Sequence, residues 1–159
     1  MAIITYEDLP TLRKKLRNKK IVFCSGTFDL THVGHVLFFE DCKKMGDVLV
    51  VTVGSDDAIQ KNKGPDRPIL GENIRLKMVS SLKSVNYCLL EKNIKRHPLS
   101  HLDLTLKNLR PDIYVINNDA FNIPYRKKIA QKYDIKLTVL DRWCPPEFNE
   151  ISTTNIIKK

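Results

Sequence analysis

Short apolar runs alternate with amphipathic stretches along the whole chain. From Tyr6 to Arg17, Leu9, Leu12 and Leu16 recur at helical spacing and predict a helix. Ile21 to Cys24 is continuously apolar and too short for a helix, so it predicts a buried strand. Further strands are predicted at Asp47 to Val53, Val85 to Leu90, Ile113 to Ile116 and Lys136 to Leu140. Helices are predicted at Val33 to Met45, with Val36, Leu37, Phe39 and Cys42 facing inward, and at Asn73 to Leu82, bearing Ile74, Met78 and Leu82. Leu99 to Leu109, Tyr125 to Tyr133 and the tail from Ser152 complete the helical set. Uniformly apolar strands alternating with helices imply a parallel sheet covered on both faces. The expected fold is therefore α/β, a Rossmann-like doubly wound sheet of about five strands. No internal repeat or low-complexity segment interrupts it, so 1–159 reads as one domain. Within it, 1–19 is the N-terminal helix, 20–140 the core, and 141–159 a loop with the C-terminal helix.

Composition narrows the function classes. With 159 residues, 42% hydrophobic and 28% charged, the chain has a globular balance. The longest apolar run, Val48 to Val53, is far below the roughly 20 residues a membrane span needs. The start, Met1 to Asp8, lacks a basic-then-apolar signal, and Cys24, Cys42, Cys88 and Cys144 form no CxxC pair. Reduced thiols in a cytoplasmic protein are the expectation. The net charge of +9 has two readings. Arg13, Lys14, Lys15, Arg17, Lys19 and Lys20 fit a solvated helix face; alternatively the surplus serves a polyanion, nucleic acid or nucleotide phosphates. An RNP-like aromatic strand, a GxxG loop in a suitable frame and zinc-ligand spacing are all missing. Neither a nucleic-acid nor a membrane partner is therefore expected.

The segment Cys24-Ser25-Gly26-Thr27-Phe28-Asp29-Leu30-Thr31-His32-Val33-Gly34-His35 carries most of the chemistry. Gly26 follows a buried strand, so the backbone there can approach a ligand. Thr31 suits a helix N-cap. His32 and His35, three apart, share one face in the first helical turn, where free N–H groups and the helix dipole favour anions. Gly34 leaves that turn open to a ligand. Taken singly, these features also fit a plain turn and a solvated histidine pair. A zinc pair would need a third ligand, which does not stand nearby in sequence. Ligands of doubly wound sheets bind beyond the carboxyl ends of the strands, which is where this segment falls.

Gly26-Thr27-Phe28-Asp29 with His32-Val33-Gly34-His35 resembles the GxFDxxHxGH signature of the cytidylyltransferase-like nucleotidyltransferases. Ile151-Ser152-Thr153-Thr154-Asn155-Ile156 resembles that family's ISTT segment. Lys63-Gly64-Pro65-Asp66-Arg67-Pro68, followed by Arg75-Leu76-Lys77-Met78, is similar to the KGxxRP…RxxM stretch of its heptose-phosphate adenylyltransferase branch. The resemblance runs from about Ile21 to Lys159.

It implies that a phosphorylated alcohol or sugar attacks the α-phosphate of a nucleoside triphosphate and that pyrophosphate leaves. Catalysis is then positioning plus cationic stabilisation. On this reading His32, His35 and Lys63 are catalytic, with Lys63 on a mobile loop and Lys61 assisting. Gly26, Thr27, Phe28, Gly34, Arg75, Asn118, Asp119, Ser152, Thr153 and Thr154 bind nucleotide. Asp29, Asn117 and Arg142 serve the acceptor, with an organising contact as the alternative for Asp29 and an ion pair for Arg75. Cys24 reads as core packing. Trp143 and Phe148 line a pocket or anchor their loop. Asn117-Asn118-Asp119 departs from the relatives' Gly-Asp-Asp or Gly-Gly-Asp turn, and two prolines lengthen the interval between Arg142 and Ser152. Mg²⁺ arriving with the triphosphate and a homodimer are implied. The KGPDRP stretch favours ATP and a sugar phosphate such as heptose 1-phosphate. The Gly-Thr-Phe-Asp string favours CTP and glycerol 3-phosphate or another polyol phosphate. A nucleotide-binding module without turnover is the alternative of another class.

Overall fold

A computed structural model describes residues 2–92, 99–141, 145–148 and 153–157. The strands are β1 (Ala2–Ile3), β2 (Ile21–Gly26), β3 (Val48–Val53), β4 (Tyr87–Leu90), β5 (Ile113–Asn117) and β6 (Lys136–Leu140). All neighbours pair in parallel, in the order β1-β4-β3-β2-β5-β6. The helices are α1 (Leu9–Lys15), α2 (Val33–Lys44), α3 (Asp56–Lys63), α4 (Glu72–Ser80), α5 (Ser100–Leu109), α6 (Ile123–Lys132) and α7 (Thr153–Ile157).

Side chains alternate across a strand, so each buried strand feeds both faces of the sheet. Phe23, Val50, Leu89 and Tyr114 pack on one side with Leu12 of α1, Leu106 of α5 and Ile129 of α6. Val22, Cys24, Val51 and Val115 pack on the other with Phe39 of α2 and Val79 of α4. This is the doubly wound α/β arrangement the apolar strands predict. The strand order reverses between β2 and β5, and that reversal opens a crevice at their carboxyl ends. Among the described residues no helix is long and apolar enough to cross a membrane.

Several elements differ from expectation. The sheet has six strands rather than about five, because Ala2–Ile3 adds a two-residue edge beside β4. The helix expected from Tyr6 to Arg17 shortens to Leu9–Lys15, while β2 lengthens to Gly26. Residues Asp56–Lys63, for which no element is expected, form α3, which Ser55 caps by accepting from the Ala58 N–H. Of the expected stripe, Ile74 and Met78 on α4 are exposed while Leu82 packs half-buried against the core, and Arg75, Leu76 and Val79 are buried instead. The acidic starts of α3 and α4 cap each other, since the Asp56 N–H donates to Glu72 Oε2 and the Glu72 N–H to Asp56 Oδ2. The basic run behaves as a solvated face: Arg13 pairs with Asp112 at 3.4 Å, and Lys14, Lys15, Arg17, Lys19 and Lys20 are exposed.

Candidate active site

The turn leaving β2 is held in a costly conformation. Phe28 and Leu30 adopt left-handed backbone, with φ of 50° and 47°. Each such non-glycine residue costs on the order of 1–3 kcal/mol, and such strain persists only where the surroundings over-determine it. Here the surroundings are centred on Asp29, whose side chain is 1% exposed. Asp29 Oδ2 accepts from Arg67 Nε at 3.0 Å and from the Ile69 N–H at 2.9 Å, and Oδ1 accepts from the Leu70 N–H at 3.0 Å. Arg67 Nη2 adds an ion pair at 2.9 Å. The expectation of an acceptor-binding Asp29 is therefore corrected to the organising alternative, because both carboxylate oxygens are committed to the 67–70 loop. Thr153 Oγ1 donates to the Asp29 carbonyl at 2.8 Å and ties α7 to the same turn.

Gly26 precedes this turn for a steric reason. A Cβ there would stand 2.8 Å from the Phe28 ring. Phe28 is buried, packs on Phe39 and meets His35 edge-on, with ring centroids 5.4 Å apart.

His32, not Thr31, is the N-cap of α2. Its Nδ1 accepts from the Gly34 N–H at 3.2 Å, and His35 Nδ1 accepts from the His32 N–H at 3.4 Å. Thr31 is displaced from the cap and donates to the Phe28 carbonyl. With both Nδ1 atoms used as acceptors, a neutral ring carries its hydrogen on Nε2. The two rings are tilted by 31° to each other, 4.0 Å between centroids. Two imidazole donors are thus fixed side by side at the positive end of a helix.

Gly26, Thr27 and Lys63 line a cavity of about 160 Å³ at the carboxyl ends of β2 and β3, and neither His32 nor His35 is among its lining residues. Lys63 is exposed but is the last residue of α3 rather than part of a loop, with Gly64 at φ 95° ending the helix. Arg75 does not reach this space. It is fully buried, and its guanidinium donates to the Leu70 carbonyl, the Thr27 carbonyl and Asp56 Oδ1 at 2.7, 2.6 and 2.7 Å. Its phosphate role is corrected to that of a brace that fixes Thr27. The cavity wall also holds Thr52, Glu91, His101 and Arg126, to which the sequence reading gave no role. Arg126 is buried and bonds the Ser25 and Tyr114 hydroxyls and the Phe121 carbonyl. Thr52 alone left a trace in sequence, a hydroxyl in an otherwise aliphatic strand.

Asn117, Asn118 and Asp119 follow β5 as expected. The turn closes by the Ala120 N–H donating to the Asn117 carbonyl, and Asn118 donates to Asp141. None of the three uses left-handed backbone; Asn122 does, at φ 53°. Gly34 sits half-buried in the first turn of α2, and Thr154 is exposed on α7. Arg142, Trp143, Cys144 and Ser152 lie outside the described residues. Cys24 is buried in the core, and burial pushes its thiol well above the usual range, as it pushes Cys88 up to about 12. Neither thiol is a ready nucleophile.

Comparison with known proteins agrees with this geometry. A family profile described as cytidylyltransferase-like matches residues 23–159. The chain is 33% identical to the bifunctional protein HldE of Helicobacter hepaticus over 98% of its own length, and 36% identical to that of Campylobacter jejuni subsp. doylei over 96%. It spans about 30% of the length of each of these relatives. A lipopolysaccharide core biosynthesis protein from Thermoplasma volcanium superposes with a TM-score of 0.63 at 30% identity, covering 80% of this chain and 98% of that one. A pantoate-beta-alanine ligase from Francisella tularensis, at 16% identity and a TM-score of 0.69, shares the fold over 99% of this chain and 73% of its own. The strained glycine turn, the paired imidazoles at the helix start and the profile match lead to one assignment: the chain belongs to the cytidylyltransferase-like family of nucleotidyltransferases.

Proposed function

We propose that this chain transfers the nucleotidyl group of ATP to a sugar phosphate, with heptose 1-phosphate as the representative acceptor, and releases pyrophosphate. The observation that carries this reading is the pair of adjacent imidazoles at the start of α2, each with Nδ1 turned to backbone, on the same segment that supplies Gly26 and Thr27 to the cavity lined by Lys63. The acceptor's phosphate oxygen attacks the α-phosphorus, and the bond to the β,γ-pyrophosphate breaks. Negative charge gathers on the departing oxygen, and fixed donors there stabilise the transition state more than the ground state. In this scheme His32 and His35 supply those donors through Nε2–H, Lys63 neutralises phosphate charge, and Gly26 admits the chain of phosphates close to the backbone. Thr153 and Thr154 stand at the start of α7 for the outer phosphates, with Asn118 and Asp119 facing the nucleoside. Asn117 serves the acceptor. Among the described residues no three His, Cys, Asp or Glu side chains cluster. Magnesium enters as part of the substrate, the Mg²⁺–triphosphate complex. We extend the proposal to a cytoplasmic homodimer.

The likeness to a lipopolysaccharide core biosynthesis protein supports a sugar phosphate over a polyol phosphate. The Gly26-Thr27-Phe28-Asp29 string keeps a second reading in view, CTP with glycerol 3-phosphate. Pyrophosphate release from ATP and from CTP, each against heptose 1-phosphate and glycerol 3-phosphate, decides between them. Release with ATP and heptose 1-phosphate is expected. Tight retention on single-stranded RNA with binding of neither nucleotide would refute both.

The Gly26 turn gives a second measurable expectation. Gly26→Ala forces the Phe28 ring away from the new Cβ, and that ring buttresses His35. Turnover should fall roughly tenfold, since misplacement by about 1 Å can cost on the order of 10²-fold. The melting temperature should move far less, because the displaced group is a side chain.

A further inference from the structure

Two buried side-chain polar atoms among the described residues lack a hydrogen-bond partner, Thr52 Oγ1 and His101 Nδ1. Both residues line the same cavity as Lys63. They come from different elements, β3 and the first turn of α5, and are 1% and 5% exposed. Native interiors rarely leave such atoms unpaired, and each orphan weakens the fold unless something outside the chain completes it. Finding both in one wall points to a ligand.

A carboxylate stands with them. Glu91 follows β4, and its backbone N–H donates to the Val53 carbonyl at 2.7 Å, which seats it at the end of the sheet. Its Oε1 lies 2.7 Å from His101 Nδ1, close but outside hydrogen-bonding geometry. Gly54 makes room for it: a Cβ there would sit 3.3 Å from Glu91 Oε2. Thr52, Glu91 and His101 thus present a hydroxyl, a carboxylate and an imidazole at the carboxyl ends of β3 and β4.

We propose that these three residues form a subsite for the hydroxyl groups of the acceptor's sugar. The inference rests on the reading of the acceptor as a sugar phosphate and adds which part of it is bound here. The Glu91 carboxylate repels phosphate, so the phosphates belong on the Lys63 side of the cavity. A sugar hydroxyl both donates and accepts. One donates to Glu91 while accepting from the His101 ring N–H, and its neighbour pairs with Thr52. A substrate lacking these hydroxyls would leave the buried groups unpaired, the arrangement that discriminates most strongly against an analogue.

The test uses the full chain and pyrophosphate release, with heptose 1-phosphate and then ATP as the varied substrate. Thr52→Val keeps the shape and removes the hydroxyl; Glu91→Gln keeps the size and removes the charge. Both are expected to raise KM for heptose 1-phosphate about tenfold, the equivalent of one lost hydrogen bond to a buried or charged group. KM for ATP should stay within about twofold. The melting temperature of Thr52→Val should not fall, since the hydroxyl it loses has no partner inside the chain. Unchanged acceptor KM in both variants overturns the subsite, as does a rise confined to the KM for ATP, which would place the nucleoside's ribose here. Preference of the wild type for glycerol 3-phosphate overturns it too. Absence of pyrophosphate release from any pair is a failure of the transferase reading. Calorimetry of heptose 1-phosphate with wild type and Thr52→Val then reads the subsite alone, and equal affinities or no binding reject it.

Discussion

Replacing His32 or His35 with a residue lacking the imidazole is expected to lower turnover by roughly 10²-fold or more, the loss typical of removing one preorganised donor to a developing anion. The geometry separates this effect from folding. His32 is also the N-cap of α2, so His32→Ala removes a cap and costs about 1 kcal/mol of stability as well. Asparagine is among the best N-caps, so His32→Asn keeps an acceptor for the Gly34 N–H and removes only the ring. His32→Asn should therefore melt close to the wild type and still lose turnover. His35→Ala leaves the His32 N–H without its side-chain acceptor and withdraws the edge contact on Phe28, so a modest drop in melting temperature accompanies the kinetic loss. Because the two rings touch and address one departing group, the double variant should lose less than the product of the single losses. Pyrophosphate release at saturating substrates gives kcat, and circular dichroism gives the melting curve. Unchanged kcat in both His32→Asn and His35→Ala would remove the imidazoles from the mechanism.

The parts of this molecule that were legible in sequence are those in which the information is local. β2 and β3 read as apolar runs because both faces of each are buried. The Gly26 to His35 segment was readable because one turn and one helix start carry its chemistry in ten consecutive residues. α3 was missed because Ile59 is its only buried residue; the helix rests on the Ser55 cap and two acidic residues in its first turn rather than on an apolar stripe. The face of α4 was inverted because periodicity assigns an arginine to solvent. Arg75 instead takes a core position, where three oxygens satisfy it. Thr52, Glu91, His101 and Arg126 were invisible for another reason. They lie on four separate segments, and only the parallel stacking of strands brings them to one wall.

Asp29→Ala is the substitution expected to cost the most stability, about 3–5 kcal/mol, the range for removing one partner of a buried ion pair. Arg67, 17% exposed, would keep its charge with little water to receive it. The Ile69 and Leu70 N–H groups would lose their acceptors at the same time. The left-handed residues Phe28 and Leu30, on either side of Asp29, would lose the anchor that holds their strain, so part of the cost returns as the turn relaxes. Total stabilities of single domains are roughly 5–15 kcal/mol, so a loss of this size is a large fraction of the whole. Asp29→Asn removes the charge but keeps one acceptor oxygen, and should lie between alanine and wild type. Denaturant titration separates the cases: the midpoint falls in the order wild type, Asn, Ala, with the slope unchanged. Turnover should fall in the same order even where the variants remain folded, because the relaxed turn also carries Phe28 and, through it, His35. A shift below about 1 kcal/mol in Asp29→Ala would mean that the 67–70 loop and the turn are held by other contacts, and the role of Asp29 as their organiser would be wrong.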